Sequence, residues 1–263
     1  MANPITLDLS SAKMFIAFGE RAAKHGLEPR GLQQFIDEPE KMDRFVHFAN
    51  ARAPVWQVVP KIIEALPDID WLKTYESLGM KAEYEEAMEM LPKWSDPNLW
   101  IVPVIASKDR KKVVTCNMVV ATMRKSGVKV WMYIEDLDAS IVSNDRDPIR
   151  DGSYLIGFRR TIEADEENKN LSANMLANQG HRGITCLERK LLGHGYYLAT
   201  RQHLDVNCVT LCPGSRYRDG SVPSVHFDRG IGRVCVGGYG PADHDGIRRS
   251  RSAVPPPVAL QLA

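Results

Sequence analysis

Between His203 and Leu260 the chain contains no Lys, Glu, Gln, Met or Trp. The full sequence of 263 residues holds 14, 15, 6, 10 and 5 of these, so a stretch of this length would carry about eleven at the chain-wide rate, and their absence is an informative deviation. Gly supplies eight of the 33 residues from Gly214 to Gly246. Short apolar alternations (Val222 and Val225; Val234 and Val236) are separated by the turn dipeptides Asp219-Gly220 and Asp245-Gly246. This pattern predicts short strands and long structured turns in place of a packed helix.

Elsewhere the composition is that of a globular protein, 44% hydrophobic and 25% charged. Lys+Arg 34 against Asp+Glu 33 leaves a net charge of +1, which implies no global pull toward nucleic acid or membrane. No apolar run approaches the roughly 20 residues needed to span a bilayer. The segment Met1–Leu9 lacks the basic start and apolar stretch of a secretory signal. The five cysteines are Cys116, Cys186, Cys208, Cys212 and Cys235. An odd number in a chain of this size favours reduced thiols, and a cytoplasmic or virion-associated location is expected.

Apolar residues at three- and four-residue spacing predict helices across residues 10–50, with Ser10-Ser11 as a cap, and again over Trp56–Leu66, Trp71–Leu78 and Ala82–Leu91. Trp100–Ala106, Val113–Val120 and Val128–Ile134 read as strands. The turn cluster from Asn144 to Gly152 suggests a domain boundary. The expected division is a mainly helical region over 1–144 whose role the residues do not name, a second domain over 145–254, and a mobile tail over 255–263. Within the second domain, Ser153–Phe158 is a strand, Glu163–Asn170 a polar loop and Ser172–Ala177 a short helix capped by Ser172. Gly183–Leu198 is a longer helix, with Ile184, Leu187, Leu191, Leu192 and Tyr196 inward, Glu188, Arg189 and Lys190 outward, and its second half weakened by Gly193 and Gly195.

Cys208 and Cys212 lie four apart with His203, Asp205 and His194 upstream, a set from which zinc ligands can be drawn although it lacks a second paired element. The Gly237–Gly240 and Gly230–Gly232 segments fit no phosphate-loop pattern. Arg248, Arg249 and Arg251 have no interleaved aromatics or lysines, so they suit anchoring to carbonyls and carboxylates better than phosphates. No nucleophile elbow is present. No metal, cofactor or nucleic-acid partner is therefore expected, nor a catalytic set.

Lys, Glu, Gln, Met and Trp share one property at the level of the gene: every codon for each ends in a purine. Randomising the adenines of asparagine-type codons yields, among others, Ser, Tyr, His, Asp, Gly, Cys, Arg, Phe, Ile and Asn, and never those five. The segment is rich in the permitted set at Tyr217, Ser221, Ser224, His226, Asp228, Arg229, Cys235, Gly237, Tyr239, Gly240, His244 and Gly246. From Asp151 to Val254 the chain resembles the C-terminal domain of the variable proteins of diversity-generating retroelements. The matching residues include Asp151-Gly-Ser-Tyr154, Glu163-Ala-Asp-Glu166, Leu171-Ser-Ala173, Gly183-Ile-Thr185, His203-Leu-Asp205, Thr210-Leu-Cys212, Gly214-Ser-Arg216, Asp219-Gly220, Val222-Pro223 and Arg249-Ser-Arg-Ser252. Phe227 and Gly238 stand where relatives often carry Trp, a departure that bears on the pairing around residue 238.

The resemblance implies an α+β chain whose second domain has a C-type-lectin-like fold of the formylglycine-generating-enzyme subtype. It also implies a non-enzymatic protein that meets a protein or other macromolecular ligand through the twelve residues just named. Gly214, Ser215, Arg216, Asp219, Gly220, Val222, Pro223, Arg249 and Arg251 would then be framework, the arginines bonded to backbone carbonyls or to Asp219. The alternative is an enzyme or metal-binding protein on the same fold, using Cys208, Cys212 and His203.

Overall fold

The computed structural model describes residues 66–257, all within a compact unit that spans Ala65–Ala263. The helices expected over 10–50 and nearly all of 56–66 lie outside the described residues, as do residues 258–263.

Asp70 caps helix α1 (Trp71–Ser77), its carboxylate accepting from the Lys73 amide at 2.9 Å. Gly79, at φ +70°, allows the turn into α2 (Lys81–Met90). Stacked Tyr75 and Tyr84 rings, 5.1 Å apart, hold the two helices together. The chain continues through β1 (Leu99–Val104), α3 (Cys116–Lys125), β2 (Val130–Met132), α4 (Leu137–Ser140), β3 (Ile141–Asn144) and α5 (Pro148–Asp151). After β4 (Tyr154–Arg159) come a 3-10 turn at Glu166–Asn168, α6 (Ala173–Asn178) and α7 (Cys186–Thr200). The last part is β5 (Val209–Leu211), β6 (Ser215–Tyr217), β7 (Val222–Asp228), β8 (Arg233–Tyr239) and β9 (Arg248–Ser250). The class is α+β, and the run of short strands and turns after residue 203 is as expected.

Three expectations need correction. Val113–Val120 is not a strand: Val113 makes a single bridge to Ala106 and α3 follows. Thr115 caps that helix by accepting from the Met118 amide, and Val119, Val120 and Met123 bury on one face. Tertiary burial outweighs the β-propensity of the valines. The boundary near residue 145 is not where the chain divides. β1 pairs antiparallel with β4 from Leu99↔Arg159 to Val104↔Tyr154, and β3 pairs with β6, so residues on both sides of the turn cluster build the same unit.

The third correction concerns α7, which is buried nearly all round. Thr185 and Glu188 form a reciprocal capping box, and Arg146 donates to Glu188 Oε1 at 2.7 Å. Arg189 donates to Asp205 at 2.6 Å, and Lys190 is also buried. Gly193 and Gly195 serve this packing: a Cβ at 193 would lie 2.5 Å from Arg189 Nη1, and one at 195 would lie 2.6 Å from Ile69.

The main sheet has the order β2-β8-β7-β5-β9, antiparallel at its centre and parallel at both edges. One face of the β7–β8 hairpin sends Val225, Val234 and Val236 into the core that contains Ile184, Leu191 and Leu192 of the α7 region.

Candidate functional site

The hairpin pairs without a break from Val222↔Tyr239 to Asp228↔Arg233. Pairing therefore runs straight through Gly238, which is opposite Pro223. Alternation along the strands puts Ser224, His226 and Asp228 on the face away from Val225, Val234 and Val236, opposite Gly237, Cys235 and Arg233.

Of the twelve residues expected to form a ligand-binding surface, Arg229, His244 and Gly246 are exposed. Ser221, His226, Asp228, Gly237, Tyr239 and Gly240 are half-buried. Tyr217, Ser224 and Cys235 are buried, and for these three a direct surface role is corrected. The Tyr217 ring packs over Gly238 and its hydroxyl donates to the Gly237 carbonyl at 3.2 Å. Ser224 lies between Leu211 and Gly237, next to the small cluster of Ala173, Leu211, Val222 and Tyr239. Cys235 is flanked by His226 on β7 and Trp131 on β2. The Tyr239 ring is covered by the Arg248 guanidinium at 3.8 Å.

The expected framework residues are tied to backbone. Arg216 donates to the carbonyls of Pro213 and Ser215 at 2.6 and 2.8 Å. Arg251, fully buried, donates to the carbonyls of Thr161 and Ile162 and to Asp205 at 2.7 Å. Arg249 bonds Ala164 and pairs with Glu166. Asp219 pairs with no arginine among the described residues; it accepts from the amide and hydroxyl of Ser221 and so closes the turn at Gly220, whose φ is +83°. Ser215 links Asn144 to the start of α7. Val222 and Pro223 are buried strand positions.

The glycines separate by the space around them. At Gly214 a Cβ would stand 2.9 Å from the Gly183 carbonyl oxygen, and Gly220 occupies the left-handed region. At Gly237 a Cβ would meet only the Ser224 hydroxyl, at 3.5 Å, and at Gly246 nothing. Gly240 is intermediate, facing the Asp243 side chain at 3.1 Å.

Trp131 and Arg233 were not among the residues singled out from sequence. Trp131, 41% exposed, extends the hairpin face at its β2 edge, with the Arg233 guanidinium 5.3 Å from its ring. Nothing local marks Trp131, since its strand joins β8 from about 100 residues upstream.

The residues of the alternative reading do not converge. His203 is stacked between Tyr197 and Phe227. Cys212 is fully buried in the core, and burial pushes its thiol up. Burial likewise pushes the Cys208 thiol well up. Cys208 does approach Asp205 and Glu163, but the Asp205 carboxylate is taken up by Arg189, Arg251 and Thr210. His194 is bonded to Ser77 at 3.0 Å, and burial pushes its pKa down to about 4. It stays neutral in the fold while an unfolded histidine, near 6.5, takes a proton. Stability is therefore expected to fall as pH drops from about 6.5 to 4, and urea midpoints across that window should fall less steeply in His194→Gln. An unchanged slope would exclude His194 as a contributor.

No family model, curated protein or solved structure matches this chain. Among the described residues no helix is long and apolar enough to cross a membrane.

Proposed function

We propose that this chain is a ligand-binding protein of the diversity-generating-retroelement class, with a C-type-lectin-like fold of the formylglycine-generating-enzyme subtype in the unit to which residues 145–254 belong. The diversified surface is the outer face of the β7–β8 hairpin with the turns at 229–231 and 240–247. The observation that carries this reading is the separation of the glycines. Gly237 and Gly246, which this reading puts in the diversified set, have room for a side chain, whereas the framework residues Gly214 and Gly220 do not accept one without strain.

A surface rewritten by mutagenesis needs a fold indifferent to its side chains. The arginine and capping bonds described above fix the backbone from outside the diversified set, and exposed substitutions usually change stability by under about 0.5 kcal/mol. Ligand contact falls to Arg229, His244 and Gly246, with Ser221, His226, Asp228, Gly237, Tyr239 and Gly240 at the rim. Tyr217, Ser224 and Cys235 shape the floor. The test is to sequence the DNA flanking the gene. A reverse-transcriptase gene and a near-identical repeat of the 217–246 coding segment, differing at adenines, are expected. A repeat differing equally at all four bases, or no repeat, overturns the reading.

A further inference from the structure

We propose that His226, Asp228 and Cys235 form a site for one zinc-type divalent ion, with a fourth coordination position left open to solvent or to a donor from a bound molecule. The inference stands on the geometry of the hairpin and is independent of how the gene was diversified.

The three side chains share one face of two paired strands. His226 and Cys235 are directly opposite, and Asp228 is two residues further along β7. One ligand atom from each, a ring nitrogen, a carboxylate oxygen and the thiol sulfur, lie within 4.8 Å of one another. Bonds of about 2.3 Å to sulfur and about 2.0–2.2 Å to nitrogen and oxygen around a tetrahedral ion put such atoms roughly 3.5 Å apart.

Each donor is also available. His226 Nδ1 is buried with no hydrogen-bond partner among the described residues, an uncommon state for a polar atom in a paired sheet. The one bond found for the Cys235 thiol is a long contact, 4.0 Å, to the Arg233 carbonyl. Asp228 uses Oδ1 to accept from the amides of Gly230 and Ile231, at 2.8 and 3.3 Å, which fixes the carboxylate and leaves Oδ2 free. Arg233 is opposite Asp228 but stacks on Trp131, and among the described residues Asp228 forms no salt bridge. An outer partner that orients a ligating carboxylate is the usual support of a metal site. One thiolate, one imidazole and one carboxylate are a borderline donor set that suits Zn2+ and Co2+ over Mg2+ or Ca2+. Three protein ligands with one open position are the pattern of zinc sites that exchange a fourth ligand.

The test is a Co2+ titration of the full chain with its thiols reduced, followed by competition with Zn2+. One equivalent of Co2+ is expected to produce a thiolate-to-cobalt charge-transfer band and the visible bands of a four-coordinate ion, both erased by Zn2+. Cys235→Ser should abolish the charge-transfer band. Asp228→Asn keeps the amide contacts through its remaining oxygen and should weaken Co2+ binding by at least the roughly 10–100-fold that loss of an outer-sphere partner costs. The metal-free circular dichroism spectrum of that variant should match the parent. His226→Gln reads the same loss should the Cys235 variant fail to fold, and Cys208→Ser should leave the titration unchanged. A charge-transfer band that survives Cys235→Ser or disappears with Cys208→Ser overturns the proposal, as does the lack of any band at millimolar Co2+.

Discussion

Asp205→Ala is expected to lower the free energy of unfolding by about 3–5 kcal/mol, the range for breaking a buried ion pair on one side. Asp205 has no exposed surface and holds two guanidinium groups, Arg189 at 2.6 Å and Arg251 at 2.7 Å, which are themselves almost wholly buried. Removing the carboxylate leaves both cations in the interior without a counter-charge. Asp205→Asn should cost nearly as much, because shape is retained and the two charges are still orphaned. Glu167→Gln supplies the contrast: its pair with Arg159 is about half exposed on both sides, so a loss of no more than about 1 kcal/mol is expected. Urea unfolding of the three variants checks the ordering.

The same site sets an acid limb. Burial raises the Asp205 pKa, but Arg189, Arg251 and Thr210 outweigh it, and the net direction is below the ordinary carboxylate value. A depressed folded pKa stabilises above the unfolded value, near 3.9. That stability is lost as pH falls below it toward the lower folded pKa. The parent should show this loss and Asp205→Asn should not. Equal acid limbs in both would remove Asp205 from the explanation.

Local chemistry was readable wherever the partner lay nearby in the chain. Ser172 caps α6 as its position suggests, by accepting from the Met175 amide, and the Asp219-Gly220 turn closes through Ser221 two residues on. What escaped the sequence was decided by distant partners. Glu188 looks like an outward acid on a helical wheel until Arg146, 42 residues upstream, is known to reach it. Val113–Val120 has strand-like residues, yet Asp138 accepts from the Cys116 and Asn117 amides and so satisfies the first turn of a helix. In the site, alternation along β7 and β8 puts Val225, Val234 and Val236 on the face opposite His226 and Asp228, whereas Val222 shares the face of His226 and is buried there against Leu211 and Tyr239. Burial of Ser224 and Cys235 followed from neighbours on β5 and β2 that alternation within one hairpin does not report.

Gly214→Ala is expected to destabilise the protein and Gly237→Ala to leave its stability unchanged or raise it, and the difference separates frame from diversified surface. At 214 the added methyl carbon would stand 2.9 Å from the Gly183 carbonyl oxygen, 3.1 Å from Thr185 Cγ2 and 3.2 Å from the Ile184 carbonyl carbon. Two of those three atoms are backbone at the entry to α7, so the strain has little room to relax, and overpacking of this kind costs about 1–3 kcal/mol. At 237 the methyl meets only the Ser224 hydroxyl, at an ordinary contact distance. Alanine there also removes the entropic cost of glycine in a strand, so a change between neutral and a gain of about 1 kcal/mol is expected. Gly246→Ser, with nothing nearby, should fall within about 0.5 kcal/mol of the parent. Thermal melts of the three single variants at one pH decide the matter. If Gly237→Ala costs as much as Gly214→Ala, the hairpin face is structural. A chain built that way cannot tolerate rewriting at that position, and a diversified binding surface there is excluded.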